Sequence, residues 1–257
     1  MIVSFGLSNT GCVRTENEDR IRLDERMGLF LVADGMGGHS HGEVAAELAA
    51  SAVQAYIESS KERADVTWPF GYDFGLSLNE NRLATAIRLA NRQVWKKSEE
   101  SPECAGMGTT VAAALVSDNK AAIANVGDSR VYVFRDGVLE LLSVDDTWVS
   151  AMIRQGTIDP VQASNHPMKN VLTQAAGARE HIEVHTCEHT LVAGDLLMLT
   201  SDGLHGVVEE AVICAILEGA EHLPHAAERL IQAARDQGAP DNISCILLRY
   251  TELAEAA

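Results

Sequence analysis

The chain has 257 residues, 46 % of them hydrophobic, with 20 Lys+Arg against 37 Asp+Glu and a formal net charge of −17 at pH 7. That composition buries a sizeable core in one large domain or two small ones, and it is foreign to a disordered chain. The acidic balance, with few lysines and no basic run, speaks against nucleic acid as a partner, because phosphate contacts along a duplex need a clustered basic face. No apolar stretch approaches the about 20 residues that span a bilayer. The start M-I-V-S-F-G-L-S also lacks the basic and long apolar regions of a signal peptide, so a cytoplasmic protein with no membrane partner is expected. The cysteines (Cys12, Cys104, Cys187, Cys214, Cys245) are odd in number and never in C-x-x-C spacing, which predicts reduced, mostly buried thiols.

Along the chain, Met1 to Leu31 mixes apolar alternation with turns, and Leu29 to Ala33 reads as a buried strand that stops at Asp34-Gly35. Ala46, Ala49, Val53, Tyr56 and Ile57 recur at helical spacing and predict an amphipathic helix over 43–59. After a loop rich in Pro, Gly and aromatics, Leu83, Ile87, Ala90 and Val94 predict a second helix over 79–97, preceded by the capping box Ser77-Leu78-Asn79-Glu80. Two helices without an intervening strand are unlike a βαβ alternation. From Thr109, the runs V-A-A-A-L-V, A-A-I-A-N-V, V-Y-V-F and V-L-E-L-L predict an antiparallel meander joined by hairpins, one of them at Arg135-Asp136-Gly137.

Residues 145–180 are polar, with one short helical pattern (Val149, Met152, Ile153) closed by Gly156 and a turn-rich stretch from Asp159-Pro160 to His166-Pro167, as in an insertion lying over a sheet. Strands are expected near Ile182–Val184, Leu196–Leu199 and Ile243–Tyr250, with helices near Glu209–Leu217 and from Pro224 to just before Gly238. The alternation of His181, Glu183, His185, Cys187 and His189 admits a transition-metal site, but an exposed polar strand face opposite Ile182 and Val184 is the simpler reading. There is no internal repeat, no interdomain linker, and no P-loop, G-x-G-x-x-G or H-E-x-x-H motif.

Four aspartates break apolar runs: Asp34, Asp128, Asp202 and Asp241. Singly, each reads as a turn residue. Together they place carboxylates at the rims of buried strands, where they repel one another unless a cation neutralises them. Oxygen donors without thiolate or paired imidazole select Mg2+ or Mn2+, and Gly35 lets its own carbonyl approach an ion closely. Arg14 offers a planar fork suited to two phosphate oxygens, and Glu18 and Asp19 suit hydrogen bonds from metal-bound water.

R-T-E-N-E-D (14–19), V-A-D-G-M-G-G-H (32–39), G-M-G-T-T (106–110), N-V-G-D-S-R (125–130), N-H-P-M-K-N-V-L-T-Q-A-A-G (165–177), L-T-S-D-G-L (199–204) and A-P-D-N-I-S (239–244) occur in that order. In this the chain resembles bacterial members of the metal-dependent type 2C (PPM) protein serine/threonine phosphatases over nearly its whole length. The resemblance implies an α+β fold, a four-layer α-β-β-α sandwich of two antiparallel sheets flanked by helices, as one domain over 1–257 with a flap at about 145–180. It implies two Mn2+ or Mg2+ ions and a possible third. Asp34 would bridge two ions, the Gly35 carbonyl would bind one, and Asp202 and Asp241 would hold the other. Asp128 with Asp202 would hold the third, Glu18 and Asp19 would act through water, and Arg14 would hold the phosphate.

The implied reaction is hydrolysis of phosphoserine and phosphothreonine in proteins by a metal-activated water, opposing a bacterial Ser/Thr kinase, by a monomer. Two other readings stand beside it: a phosphoprotein-binding pseudophosphatase, and a phosphatase of a small phosphorylated metabolite. Two departures from the pattern concern chemistry. Met36 stands where animal relatives carry a histidine suited to a general acid, leaving His39 or water on a third ion as candidates, and Asp145-Asp146-Thr147 replaces a common Asp-His.

Overall fold

The structure, a computed structural model, describes residues 1–37, 41–62, 66–164 and 166–251. The strands are β1 (Ile2–Asn9), β2 (Arg20–Asp24), β3 (Leu29–Ala33), β4 (Gly35–Met36), β5 (Gly108–Thr109), β6 (Val111–Ser117), β7 (Lys120–Val126), β8 (Arg130–Arg135), β9 (Val138–Leu141), β10 (His185–Thr190), β11 (Leu196–Thr200) and β12 (Ile243–Tyr250). The α-helices are α1 (Gly42–Glu62), α2 (Leu78–Glu100), α3 (Trp148–Arg154), α4 (Pro160–Ser164), α5 (Asp202–His205), α6 (Glu210–Glu218) and α7 (Leu223–Asp236). They build two five-stranded antiparallel sheets, ordered β1-β12-β11-β8-β9 and β10-β7-β6-β3-β2, with β4 and β5 as a separate pair.

Three apolar layers hold the stack together. Strand β3 is buried throughout because its alternate residues serve two of them. Phe30 and Val32 point between the sheets, against Val131, Leu199 and Ile246, while Leu29, Leu31 and Ala33 meet α1 and α2. On the far side, Cys245 and Leu247 of β12 pack with α6 and α7. The result is the α-β-β-α order expected. Helix α2 starts where its sequence says: Ser77 accepts from the Glu80 amide, and the Glu80 carboxylate accepts from the Ser77 amide.

Five expectations change. The meander breaks after β7, because β8 joins the other sheet beside β11, and the Gly127 turn (φ 90°) carries the chain across. A hairpin and a sheet switch read alike in sequence, since both join two apolar strands. The strand expected at 182–184 begins instead at His185, where pairing with Asn125 of β7 starts. Its His185, Cys187 and His189 are half-buried rather than an exposed face: His185 meets Asp146, Cys187 donates to the Leu142 carbonyl, and His189 lies by Arg135. Of the thiols only Cys104 and Cys245 are buried, and Cys12 is exposed. Within 145–180, the stretch read as turns contains α4, with Pro160 at its first position.

Candidate functional site

Topology alone brings the four aspartates together. Strands β3 and β7 each run antiparallel to β6, so both end at the same edge of their sheet, which puts Asp34 and Asp128 side by side. In the facing sheet β11 and β12 are antiparallel, so the end of one and the start of the other put Asp202 near Asp241. Arg14, Glu18, Asp34, Gly35, Asp128, Asp202 and Asp241 line one cleft of about 310 Å3, together with Met36 and Thr110. A second cavity of about 410 Å3 shares Asp128, Asp202 and Asp241 and extends beneath α3.

Each wall is fixed by named contacts. The Asp34 carbonyl accepts from the Thr109 hydroxyl (2.9 Å) and the Thr110 amide (2.9 Å), and the Thr110 hydroxyl meets that of Ser129 at 2.6 Å. A Cβ at Gly35 would come within 2.2 Å of the Gly42 carbonyl oxygen and 2.7 Å of that of Glu18, so this backbone can be no residue but glycine. Gly203 is equally closed, with the Asn242 carbonyl oxygen 1.9 Å from where its Cβ would stand, which clamps α5 and Asp202 against the start of β12.

The segment carrying Arg14, Glu18 and Asp19 has no strand of its own. Asn242, 4 % exposed, holds it: its Nδ2 donates to the carbonyls of Thr10 (3.0 Å) and Glu16 (2.8 Å), and its Oδ1 accepts from the Glu18 amide (2.8 Å). Asp19 is buried behind the cleft rather than lining it. Its Oδ2 accepts from Ser201 Oγ at 2.8 Å, while its Oδ1 is buried and has no hydrogen-bond partner. Ser244 continues this polar ladder to Ser8, and Ser8 to Asn17.

Electrostatics show what the crowding costs. The Asp34 carboxyl titrates well above the ordinary range, first because it is desolvated and then because Asp19, Asp202, Asp128 and Asp241 are nearby. Burial and the charge of Asp202 push Asp128 up to about 7, and burial pushes Asp19 to about 6. Asp202 is raised by burial and by Asp241. Glu18 is raised by burial and by Glu43. Arg14 is already engaged inside the cleft: its Nη2 donates to Asp241 Oδ2 at 2.8 Å, across 227 residues of sequence.

Among the described residues, no three His, Cys, Asp or Glu side chains close on one ready-made metal position. The donor set nevertheless fits divalent ions, since it is all hard oxygen, mutually repulsive, and includes the orphaned Asp19 Oδ1. Of the residues singled out from the sequence, Arg14, Glu18, Asp34, Gly35, Asp128, Asp202 and Asp241 line the cleft and Asp19 lies behind it; Asn242, Ser201 and Ser244 had no role in that reading, although the A-P-D-N-I-S and L-T-S-D-G-L motifs contain them. The Asp145-Asp146 pair also gains a role. Asp145 takes a two-pronged bond from Arg130, and Asp146 accepts from the Gly127 amide and from His185 Nε2. Gly38 and His39 lie outside the described residues.

Known proteins are similar to this chain in sequence and fold. The chain is 34 % identical over 240 residues to the serine/threonine protein phosphatase PstP of Mycobacterium tuberculosis, covering 93 % of this chain but only 43 % of that relative's length. It is 34 % identical over 244 residues to the serine/threonine phosphatase stp of Listeria innocua, covering 94 % and 93 % of the two chains. The catalytic domain of PstP in complex with two manganese ions superposes with a TM-score of 0.81 at 30 % identity, covering 98 % of this chain and 99 % of that one. The protein phosphatase 2C family profile matches residues 13–248, a span that runs from before Arg14 to beyond Asp241, and the chain therefore belongs to that family.

Proposed function

We propose that this chain is a metal-dependent protein phosphatase that hydrolyses phosphoserine and phosphothreonine in proteins, opposing a bacterial Ser/Thr kinase. The observation that carries the reading is the convergence of Asp34, Asp128, Asp202 and Asp241 with Arg14 on one cleft between the sheets. Asp34 would lie between two Mn2+ or Mg2+ ions, with the Gly35 carbonyl on one and Asp202 and Asp241 on the other; Asp128 with Asp202 would hold a third. Bound ions supply activation of a water for attack on phosphorus and neutralisation of phosphate charge.

The remaining work falls to the chain. Arg14 exchanges Asp241 for two phosphate oxygens, holding the group in line and offsetting charge on its equatorial oxygens. Asp19, aimed by Ser201, and Glu18, anchored by Asn242, accept hydrogen bonds from water and orient it. Met36 carries no proton to give, so the departing alkoxide is protonated by water in the cleft or by His39. Residues 1–257 act as one domain, and the flap at about 145–180 shapes which phosphoproteins enter; the protein works as a cytoplasmic monomer. Among the described residues no helix is long and apolar enough to cross a membrane.

Hydrolysis of a phosphothreonine peptide with Mn2+, Mg2+ or EDTA tests the reading. Activity should require a divalent ion and be abolished by chelation. Turnover indifferent to EDTA would sink the mechanism, and binding of the peptide without turnover at any metal concentration would make the chain a pseudophosphatase.

A further inference from the structure

Outside the cleft, one feature of the surface runs against the charge of the whole. Arg88 and Arg92, one turn apart on α2, line a cavity of about 250 Å3 with Phe70, His181, Ile182 and Glu180. Among the described residues, neither arginine, nor Arg179 beside them, is engaged in an ion pair. In a chain of net charge −17, such unpaired cations are free to meet an outside anion.

The pocket is held in shape. Arg92 lies over the Phe70 ring, 5.1 Å from its centroid, so the guanidinium is oriented in advance. Buried Asn91 donates to the carbonyls of Arg179 (3.1 Å) and Glu180 (2.9 Å) and accepts from the Gly177 amide (2.7 Å), which ties 177–182 to the helix. The segment that carries Phe70 also holds an edge-to-face ladder of Trp68, Tyr72 and Phe74, with centroid separations of 5.1 and 5.2 Å, whose last ring is 93 % exposed. Phe74 is exposed in the same segment as Phe70, and aromatic and arginine side chains carry most of the binding at recognition surfaces.

We propose that this pocket and its aromatic ladder are a docking site for an acidic segment of a partner protein. A carboxylate enters beside Arg88 and Arg92, and an apolar neighbour rests on Phe74 and Tyr72. A nucleic acid would meet the acidic remainder of the surface, and a free small anion would leave the ladder uncovered; an acidic peptide with an apolar residue uses both halves. Glu180 at the rim opposes the incoming charge and sets an upper bound on affinity. The site is separate from the metal cleft, so its test does not depend on catalysis.

The probe is a fluorescein-labelled peptide, Glu-Asp-Leu-Glu-Asp-Phe, followed by anisotropy with the full chain in EDTA. Arg88→Glu with Arg92→Glu should weaken binding about tenfold or more, and Phe74→Ala about threefold. Glu180→Gln should tighten it about twofold, and raising salt from about 50 to about 300 mM should weaken it severalfold. Hydrolysis of p-nitrophenyl phosphate with Mn2+ should stay within about twofold of wild type in all variants. If the double variant loses its fold by circular dichroism, Arg92→Gln at the exposed position carries the charge test. Equal binding of the Gln/Asn version of the peptide, or unchanged binding by folded arginine variants, overturns the proposal. So does displacement by inorganic phosphate or by a single-stranded oligonucleotide at the peptide's own affinity, which would make this a small-anion or nucleic-acid site.

Discussion

Asn242→Ala should cost both stability and catalysis, although Asn242 touches neither phosphate nor metal in the proposed mechanism. The side chain makes three hydrogen bonds to the backbone of residues 10–18. Each is worth about 0.5–1.5 kcal/mol net, and because Glu16 is exposed, water can replace part of that loss. The expected destabilisation is therefore about 2–3 kcal/mol, or roughly 4–12 °C in Tm for a domain of this size. The same loss frees the segment that carries Arg14 and Glu18, so kcat/KM for a phosphothreonine peptide should fall by at least about tenfold at saturating Mn2+. Asn242→Asp keeps the acceptor for the Glu18 amide but turns a negative oxygen toward the Thr10 and Glu16 carbonyls, and should be at least as damaging. Urea denaturation and steady-state kinetics measure both quantities. A shift under about 0.5 kcal/mol with unchanged kcat/KM would show that the segment is held by something else.

Three further outcomes follow from the cleft and its surroundings. Arg14→Ala should raise KM for phosphopeptide, with Lys rescuing only in part; because Arg14 sits on Asp241, metal affinity by calorimetry should be equal or tighter, and a weaker value would make Arg14 an organiser of the cage. Asp128 has its pKa raised to about 7, so the folded state holds its proton more tightly than the unfolded chain and its contribution is lost as pH rises from about 4 through 7. In EDTA, Asp128→Asn should therefore flatten the fall of Tm over that window, and parallel wild-type and variant curves would refute the assignment. His185 has its pKa raised, first by its hydrogen bond to Asp146, so its contribution is full below about 6.5 and disappears as pH rises through the folded value. The Tm difference between wild type and His185→Gln should be larger at pH 5.5 than at pH 9 (about two units or more above the ordinary histidine value); the reverse order would mean that the neutral ring makes the bond.

What the sequence disclosed was what is settled locally. The capping box at Ser77 and the positive-φ turn at Asp136-Gly137 involve neighbours, so their residues determine them. The acids were legible because each interrupts an apolar run at a strand end. What stayed hidden depends on partners distant in sequence. Nothing around Val126 says that Val131 pairs with Leu199 rather than back with β7. Nothing around His181 says that pairing with β7 begins four residues later. Arg14 was read as a phosphate ligand from its chemistry, while the contact it makes with Asp241 depends on β1 lying against β12.

The same distinction explains how a stable fold tolerates such a cluster of charge. The acids stand where the sheets end, so the apolar layers formed by Phe30, Val131, Leu199 and Ile246 remain unbroken beneath them. The strain of like charge is carried by uncharged partners one step back: Ser201 and Ser244 under Asp19, Thr109 and Thr110 around Asp34, Asn242 under Glu18. These groups fix where the carboxylates sit without neutralising them, which leaves the charge to be met by ligands of the cleft. The last residues of the 145–180 segment are joined to the same scaffold. Ala176 exchanges backbone bonds with Thr109, and Thr173 donates to the Asp146 carbonyl, so 173–177 is tied to the backbone that holds Asp34. An isolated bridge pairs Thr147 with Leu172, and Leu172 with Asn170 lines the cleft beside Asp34, so the backbone that frames the acids also fixes the residues that face them.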